Sequence, residues 1–199
     1  TSDNVDALTI RRTGVGQYVD EIYYSLRSGG STSKLYRGRT NGSATFDTNN
    51  PQFSVRGDIV GAGITGLTTG LQFTQDSGST LYGVSSGGQF YTINAGTGAA
   101  TLLMDFSSAT GSGLLSGGEG FQGLAAGPQN VESGRYRGLL FAITNQGRLV
   151  CLNPTTGAAV VNVFDTNNDG VGDSAISNST VFWSVTVNAS DAVLDWTLP

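Results

Sequence analysis

Short apolar runs of four or five residues, each closed by a glycine- or asparagine-containing turn, dominate the pattern of this chain. Leu81–Val84 and Phe90–Ile93 are two such runs, and the turn Ser86–Gly88 lies between them. Gly88 can take the positive φ that tight hairpin turns require. Apolar residues occupy successive positions rather than strictly alternate ones, as in a sheet that is covered on both faces. The pattern therefore predicts antiparallel hairpins in stacked sheets.

The same pattern returns fifty-nine residues later as an internal repeat. The segment LYGVSSGGQFYTINAGTGAAT, Leu81–Thr101, aligns without a gap with LFAITNQGRLVCLNPTTGAAV, Leu140–Val160. Leucine, glycine, asparagine and the run Thr-Gly-Ala-Ala recur at the same places in both segments. A repeat of this kind indicates supersecondary units that bury their apolar faces against one another.

A third and looser copy precedes these two. Tyr23–Leu26 and Leu35–Arg37 follow the same plan, with Tyr23 in the place of Leu81 and a longer turn between the strands. Each predicted module has four antiparallel strands: an inner strand, a hairpin pair and an outer strand. The predicted inner strands are Val5–Arg11, Gly66–Thr74 and Gly120–Ala126. The predicted outer strands are Ala99–Phe106 and Ala158–Phe164.

The two closely matching copies resemble the blade repeat of secreted bacterial β-propellers. Blades of that family carry a phrase of the type L-Y-G-V, then G-x-L-Y-x-I-N, then T-G-A-A-T, which Leu81–Thr101 follows. The resemblance covers two copies well, the first copy loosely and the C-terminal tail hardly at all. It implies a propeller fold and a setting outside the cytoplasm. It does not imply an activity, because propellers support many functions.

The expected fold is therefore all-β, a single domain over residues 1–199 built as a propeller-like repeat of four-stranded antiparallel blades. A last hairpin is predicted from the alternating segments TVFWSVTV and AVLDWTL, and it could close the ring as a fourth blade. A β-sandwich or an open β-repeat stack are the alternatives. The expected boundaries are blade one at about 5–47, blade two at about 64–106, blade three at about 120–164, and the C-terminal hairpin at 180–198.

Composition supports a turn-dense protein that folds. The chain has 30 glycines, and charged residues make up only 13% of it against 38% hydrophobic residues. Sparse charge with this apolar content excludes a disordered chain. A net charge of −5 argues against nucleic acid as a partner. No apolar run reaches membrane-spanning length, and a first residue Thr1 instead of methionine fits a mature secreted chain, extracellular or on the cell surface.

The clearest chemical motif is the sequence DTNNDGVGD, residues 165–173. Its spacing places oxygen ligands at positions 1, 3, 5 and 9, a backbone carbonyl at 7 and glycine at 6, as hard Ca²⁺ requires. It resembles the calcium loops of integrin-type propeller blades and of thrombospondin type 3 repeats. It departs from the EF-hand, because Ile176 stands where the bidentate Glu belongs. The alternative is a solvated turn. The candidate ligands of a structural Ca²⁺ are Asp165, Asn167, Asp169, Val171 and Asp173.

Three sequons make Asn41, Asn178 and Asn188 candidate glycosylation sites; the alternative is chance, since Asn, Ser and Thr are common here.

The sequence contains no histidine, so the usual catalytic triads that depend on histidine are excluded. The single cysteine, Cys151, lies within a predicted strand and is expected to be buried and inert. The carboxylate pairs Asp20/Glu21 and Asp191/Asp195 have no context that marks them for catalysis. The chain is therefore predicted not to be an enzyme.

Three functions are consistent with these features. The first is an extracellular structural or surface protein that assembles with itself, with the terminal segments Thr1–Ile10 and Thr180–Pro199 as strand donors. Seven of the ten basic residues lie within residues 1–56, which would favour head-to-tail contacts. The second is a carbohydrate- or protein-binding module that uses its tyrosine-rich strands. The third is a glycoside-active enzyme.

Overall fold

The computed structural model describes residues 4–11, 21–27, 32–39, 54–74, 80–130, 134–167, 169–177, 184–185 and 196–197. These residues contain thirteen β-strands and no α-helix, so the all-β prediction is confirmed. Sheet one contains β1 (Asn4–Arg11), β2 (Glu21–Arg27), β3 (Ser33–Arg39) and β4 (Ser54–Asp58). Sheet two contains β5 (Thr68–Phe73), β6 (Leu81–Ser85), β7 (Gln89–Ile93) and β8 (Ala100–Asp105). Sheet three contains β9 (Phe121–Ala126), β10 (Leu140–Thr144) and β11 (Leu149–Leu152), and β12 (Ser184–Val185) pairs with β13 (Trp196–Thr197).

Every sheet is an antiparallel meander, in which consecutive strands are neighbours. The repeat gives matching hairpins: Leu81 pairs with Ile93 in sheet two, and Leu140 pairs with Leu152 in sheet three. Gly88 has φ 89° and Gly147 has φ 75°, so both hairpin turns use the left-handed conformation that glycine tolerates. The turns predicted from the sequence are therefore present at equivalent places.

The outer strands differ from the sequence prediction in sheets one and three. Ser54–Asp58, expected in a stretch that connects blades one and two, pairs with β3 as the fourth strand of sheet one. That sheet therefore extends beyond the expected boundary at residue 47. In sheet three, the predicted outer strand Ala158–Phe164 forms only isolated bridges, such as Leu152 with Ala159. Asn162 has φ 63°, which interrupts an extended strand.

The three sheets pack face to face in chain order around two apolar clusters. One cluster joins sheets one and two: Ala7, Tyr23, Leu35, Ile59, Leu71, Phe73, Leu81, Tyr91 and Ile93. The other joins sheets two and three: Tyr82, Val84, Phe90, Phe106, Leu115, Phe121, Leu140, Ala142, Val150 and Leu152. The inner strand β5 contacts both β1 and β9. Sheet two is therefore covered on both faces, which explains its runs of consecutive apolar residues.

These contacts correct the alignment of the first repeat by one residue. Leu81 and Leu140 each face the preceding sheet, whereas Tyr23 faces the following one. Ile22, and not Tyr23, therefore occupies the place of Leu81. A shift of one residue exchanges the two faces of a strand, because side chains alternate with a period of two.

Candidate functional site

An apolar surface lies on the side of sheet one that faces away from sheet two. Leu8 pairs with Tyr24, Tyr24 with Tyr36, and Tyr36 with Val55, so these four residues form one row across the sheet. Directly opposed residues project to the same face. In the next row, Ile10 pairs with Ile22. We call this surface the open face, and its residues are Leu8, Ile10, Ile22, Tyr24, Tyr36 and Val55.

The open face exposes large aliphatic side chains. Leu8 is 57% exposed, Ile10 is 51% exposed and Val55 is 56% exposed. The intervening residues Ala7 and Thr9 are buried against sheet two. A contiguous apolar patch of this kind marks an interaction surface, whereas single exposed apolar residues need no explanation. The arrangement therefore suits contact with another molecule or another segment.

Two stacked tyrosines lie at the centre of the open face. The ring centroids of Tyr24 and Tyr36 are 5.2 Å apart, and their planes differ by 10°. Burial, and to a smaller extent the neighbouring Tyr36, raises the pKa of the Tyr24 hydroxyl. Tyr24 therefore stays neutral at physiological pH. The pair presents two stacked aromatic rings with polar hydroxyl tips.

The open face corresponds residue by residue to a face that is buried elsewhere in the same molecule. On the side of sheet two that sheet one covers, Leu71 pairs with Gly83, Gly83 with Tyr91, and Phe73 with Leu81. When the strand pairs of sheet one are aligned with those of sheet two, Leu8 matches Leu71 and Ile10 matches Phe73. In the same alignment, Ile22 matches Leu81 and Tyr36 matches Tyr91. Sheet three repeats the arrangement towards sheet two with Leu140, Ala142 and Val150.

The matched tyrosines show what covering this face achieves. Tyr91 is fully buried, and its hydroxyl donates to Thr68 Oγ1 at 2.8 Å. A Cβ atom on Gly83 would lie 2.5 Å from Cε2 of Tyr91, so the ring packs directly on the glycine. In sheet one, Tyr24 stands at the position of Gly83, and its ring stacks against that of Tyr36 instead. The open face is thus the sheet-one equivalent of a surface that is buried in sheets two and three.

A buried charge cluster lies at one end of sheet one. Glu21 is buried and pairs with Arg37, and its second oxygen lies 3.6 Å from Arg11 Nη1. The hydroxyl of Tyr23 donates to Glu21 at 3.0 Å. Arg11 also lies 5.8 Å from the centroid of the Phe73 ring. The contacts of Glu21 join β1, β2 and β3 within sheet one, which is a structural use of this carboxylate, and Arg11 extends the cluster to Phe73 of sheet two. Its sequence neighbour Asp20 and the pair Asp191/Asp195 lie outside the described residues.

A second buried carboxylate organises the turn of sheet three. Arg148 Nε donates to Glu119 Oε1 at 2.9 Å, and a second guanidinium nitrogen pairs with Glu119 Oε2. The backbone N–H of Ser116 donates to the same carboxylate at 2.9 Å. Gln89, which matches Arg148 in the repeat, bonds Thr65 and Ser85 in the corresponding place. Both side chains clamp the hairpin turn onto the segment that leads into the inner strand, and sequence analysis did not single out this clamp.

Cys151 is buried, as its position in a strand predicts. Burial raises the pKa of its thiol to about 12, despite the opposing effect of Arg135. The thiolate that nucleophilic chemistry needs is therefore not formed at neutral pH.

The loop of residues 165–173 folds its oxygen side chains onto its own backbone. Asp165 accepts hydrogen bonds from the N–H groups of Asp169, at 3.3 Å, and Gly170, at 2.7 Å. Asp169 accepts from Val171 N–H at 2.8 Å, and Asn167 accepts from Asp169 N–H at 3.1 Å. A bridge between Phe164 and Ser174 closes the loop at its base. The described residues of the loop therefore form a turn held by side-chain-to-backbone hydrogen bonds.

The chemistry of these donors fits Ca²⁺, but their grouping does not yet form a complete site. Asp173 Oδ1 accepts from the N–H and the hydroxyl of Thr166, at 3.1 Å and 2.8 Å. Within the described residues, no three Asp, Glu, His or Cys side chains are placed to hold one ion. The candidate Ca²⁺ ligands therefore remain Asp165, Asn167, Asp169, the carbonyl of Val171 and Asp173, whose Oδ1 already accepts both hydrogen bonds from Thr166. The three sequon residues Asn41, Asn178 and Asn188 lie outside the described residues.

No protein-family model matches the chain, and no curated protein matches it. Sqt1 from Chaetomium thermophilum aligns with a TM-score of 0.46 at 11% identity, over 78% of this chain and 32% of that one. Sqt1 bound to the N-terminus of ribosomal protein L10 aligns with a TM-score of 0.43 at 11% identity, over 75% and 31%. The computationally designed Ika8 protein aligns with a TM-score of 0.36 at 10% identity, over 87% and 51%. The chain thus spans about a third of the Sqt1 chains.

The described part of the chain has no helix with the length and apolar character needed to span a bilayer.

Proposed function

We propose that this chain is a non-catalytic structural protein of the cell exterior that assembles with itself. In this proposal its three sheets are blades of a propeller-like stack. The observation that carries the proposal is the open face, which matches in register a face that the same molecule buries twice. The resemblance of Leu81–Thr101 to secreted propeller blades supports the extracellular setting.

Covering the open face supplies free energy for association. Full burial of one Leu, Ile or Val side chain contributes roughly 1.5–3 kcal/mol. Leu8, Ile10 and Val55 are each more than half exposed, and two tyrosine rings lie between them. Covering this face would therefore favour contact between copies, although ordering and lost rigid-body freedom offset part of the gain.

The distribution of charge supports head-to-tail contact. Residues 1–56, which include most of sheet one, contain seven of the ten basic residues, while the rest of the chain is rich in carboxylates. Opposite net charges on these two parts of the chain would favour contact between unlike surfaces. A head-to-tail contact that does not close into a ring gives a filament.

The experiment that tests the proposal measures assembly of the full chain by light scattering and native electron microscopy over a range of concentrations. The wild type is expected to form polymers, and Leu8→Lys is expected to abolish them, because the charge would have to be desolvated at the contact. Val60→Lys is the matched control, since Val60 is 55% exposed but lies outside the open face. A wild type that stays monomeric at every concentration and salt would overturn the proposal.

A second candidate function is carbohydrate binding, and the stacked Tyr24–Tyr36 pair favours it. Aromatic rings stack on the apolar faces of sugars, and their hydroxyls offer hydrogen bonds. Saturable binding of a glycan by the monomer, in place of assembly, would favour this function over the first.

We further propose that the loop 165–173 binds Ca²⁺ in a structural role. Calcium is expected to raise the melting temperature, because a ligand that binds only the folded state stabilises that state. Asp169→Ala should remove most of the shift, and Asp58→Ala should retain it, since Asp58 pairs with Lys34 on the surface of sheet one. A melting curve that is identical in calcium and in chelator would show that the loop is a plain turn.

A further inference from the structure

We propose that the open face of sheet one is the docking surface for the C-terminal segment, residues 178–199, of a neighbouring copy of the chain. This inference rests on the proposed self-assembly and names the surface and the segment that would carry it. The segment would add a further layer on sheet one, equivalent to the layer that sheet one itself forms on sheet two.

The occupant is a β-sheet because the same face is covered by a β-sheet wherever the molecule repeats it. Sheet one covers Leu71 and Leu81 of sheet two, and sheet two covers Leu140 of sheet three. The open face repeats these positions as Leu8 and Ile22. A sheet that presents apolar side chains therefore fits the open face by continuity with two existing interfaces.

The four described residues of the C-terminal segment form a short sheet, which would be stabilised by such a surface. Ser184 pairs with Thr197 and Val185 pairs with Trp196, as a separate two-stranded sheet. An isolated two-stranded hairpin is at best marginally stable in water. The sequence around these pairs, TVFWSVTV and AVLDWTL, alternates apolar and polar residues, a pattern that predicts a hairpin with one apolar face.

We expect a neighbouring copy to bind the segment, because the segment begins at the sheet-three end of the stack and the open face lies at the sheet-one end. Ser177, the residue before it, bonds Leu149 of sheet three through two hydrogen bonds of 2.8 Å. Of the three packed sheets, sheet one is the first in chain order and sheet three is the last. Contact between the sheet-three end of one copy and the sheet-one end of the next is head-to-tail, and the basic residues concentrated in residues 1–56 favour it.

Cross-linking between two pools of full-length protein tests the inference. One pool carries Leu8→Cys and the other Val185→Cys, and a bismaleimide joins them only if the segment of one copy reaches the open face of another. The native thiol does not interfere, because Cys151 is buried and that burial raises the pKa of its thiol to about 12. Val60→Cys replaces Leu8→Cys in the control pool.

The expected result is a dimer band from the Leu8→Cys and Val185→Cys pools that is at least about tenfold stronger than the band with Val60→Cys, because docking raises the effective concentration of one thiol at the other. Light scattering of the wild type is recorded in parallel. Assembly without this cross-link overturns the inference and leaves the proposed function standing. A third sample carries Leu8→Cys and Val185→Cys in the same chain. A cross-link within that chain, without one between the two pools, also overturns the inference, since the segment then covers its own sheet one. A wild type that never assembles overturns the proposed function itself.

Discussion

Arg148→Ala is expected to destabilise the protein by about 3–5 kcal/mol, the usual cost of removing one partner from a buried ion pair. Its guanidinium makes two contacts with Glu119, whose side chain is fully buried. Without Arg148, that carboxylate keeps the N–H of Ser116 but loses its counter-charge. The free energy of unfolding, measured in urea at pH 7, checks this expectation.

Lys34→Ala is the matched control for that measurement. Lys34 and Asp58 form an ion pair of 3.0 Å, with 39% and 50% of their side-chain surfaces exposed. A solvent-exposed pair contributes only about 0–1 kcal/mol. Equal losses in the two variants would mean that the Glu119 pair is no more important than a surface contact.

The effect of Arg148→Ala should also depend on pH in a defined direction. Burial by itself raises the pKa of Glu119, but hydrogen bonds from Arg148, Thr144 and Ser116 outweigh it and hold the pKa below the ordinary value of 4.5. Stability from a depressed pKa is complete above the unfolded value and is lost as the pH falls through the folded value. The difference between wild type and variant should therefore narrow as the pH falls below the ordinary value of 4.5 and Glu119 becomes protonated.

The repeat allowed the central hairpins to be predicted because their determinants are local. Gly88 and Gly147 take positive φ in the turns, and Ser85 and Thr144 accept hydrogen bonds from the turn N–H groups in the same way. Such signals lie within five residues of one another. They are therefore visible in the sequence without knowledge of the packing.

The remaining features depend on contacts that are distant along the chain. In the sequence alignment of the repeats, Tyr23 is matched to Leu81. The consecutive aromatic residues Tyr23 and Tyr24 allow either register, and only the packing between sheets one and two shows that Ile22 is the equivalent of Leu81. The pairing of β4 with β3 joins residues on opposite sides of a long segment. The Glu119–Arg148 clamp spans twenty-nine positions, and its only sequence signal is a long polar side chain after each turn glycine.

The open face could not be predicted from the sequence for the same reason. The apolar residues of β1 and β2 occupy both faces of sheet one, as in a sheet buried on both sides. Only the order of the sheets shows which face is covered, and the exposed Leu8 and Ile10 follow from that order. The candidate site is therefore a consequence of where the stack begins.

Leu71→Ala and Leu8→Ala are expected to differ strongly in dilute solution, although the two leucines are equivalent in the repeat. Leu71 is buried between sheets one and two, so its truncation should cost about 2–5 kcal/mol of unfolding free energy. Leu8 is mostly exposed, and surface truncations usually change stability by about 0.5 kcal/mol or less. Denaturant unfolding at low protein concentration measures both.

At concentrations where the wild type assembles, Leu8→Ala should become costly while the cost of Leu71→Ala stays the same. A contact that buries Leu8 stabilises the folded state by mass action, and the truncated side chain gives up that contribution. Leu71 is already covered within its own chain, so concentration does not alter its environment. A large cost for Leu8→Ala at every dilution would mean that the open face is covered within the monomer, and a negligible cost at every concentration would mean that no partner binds there.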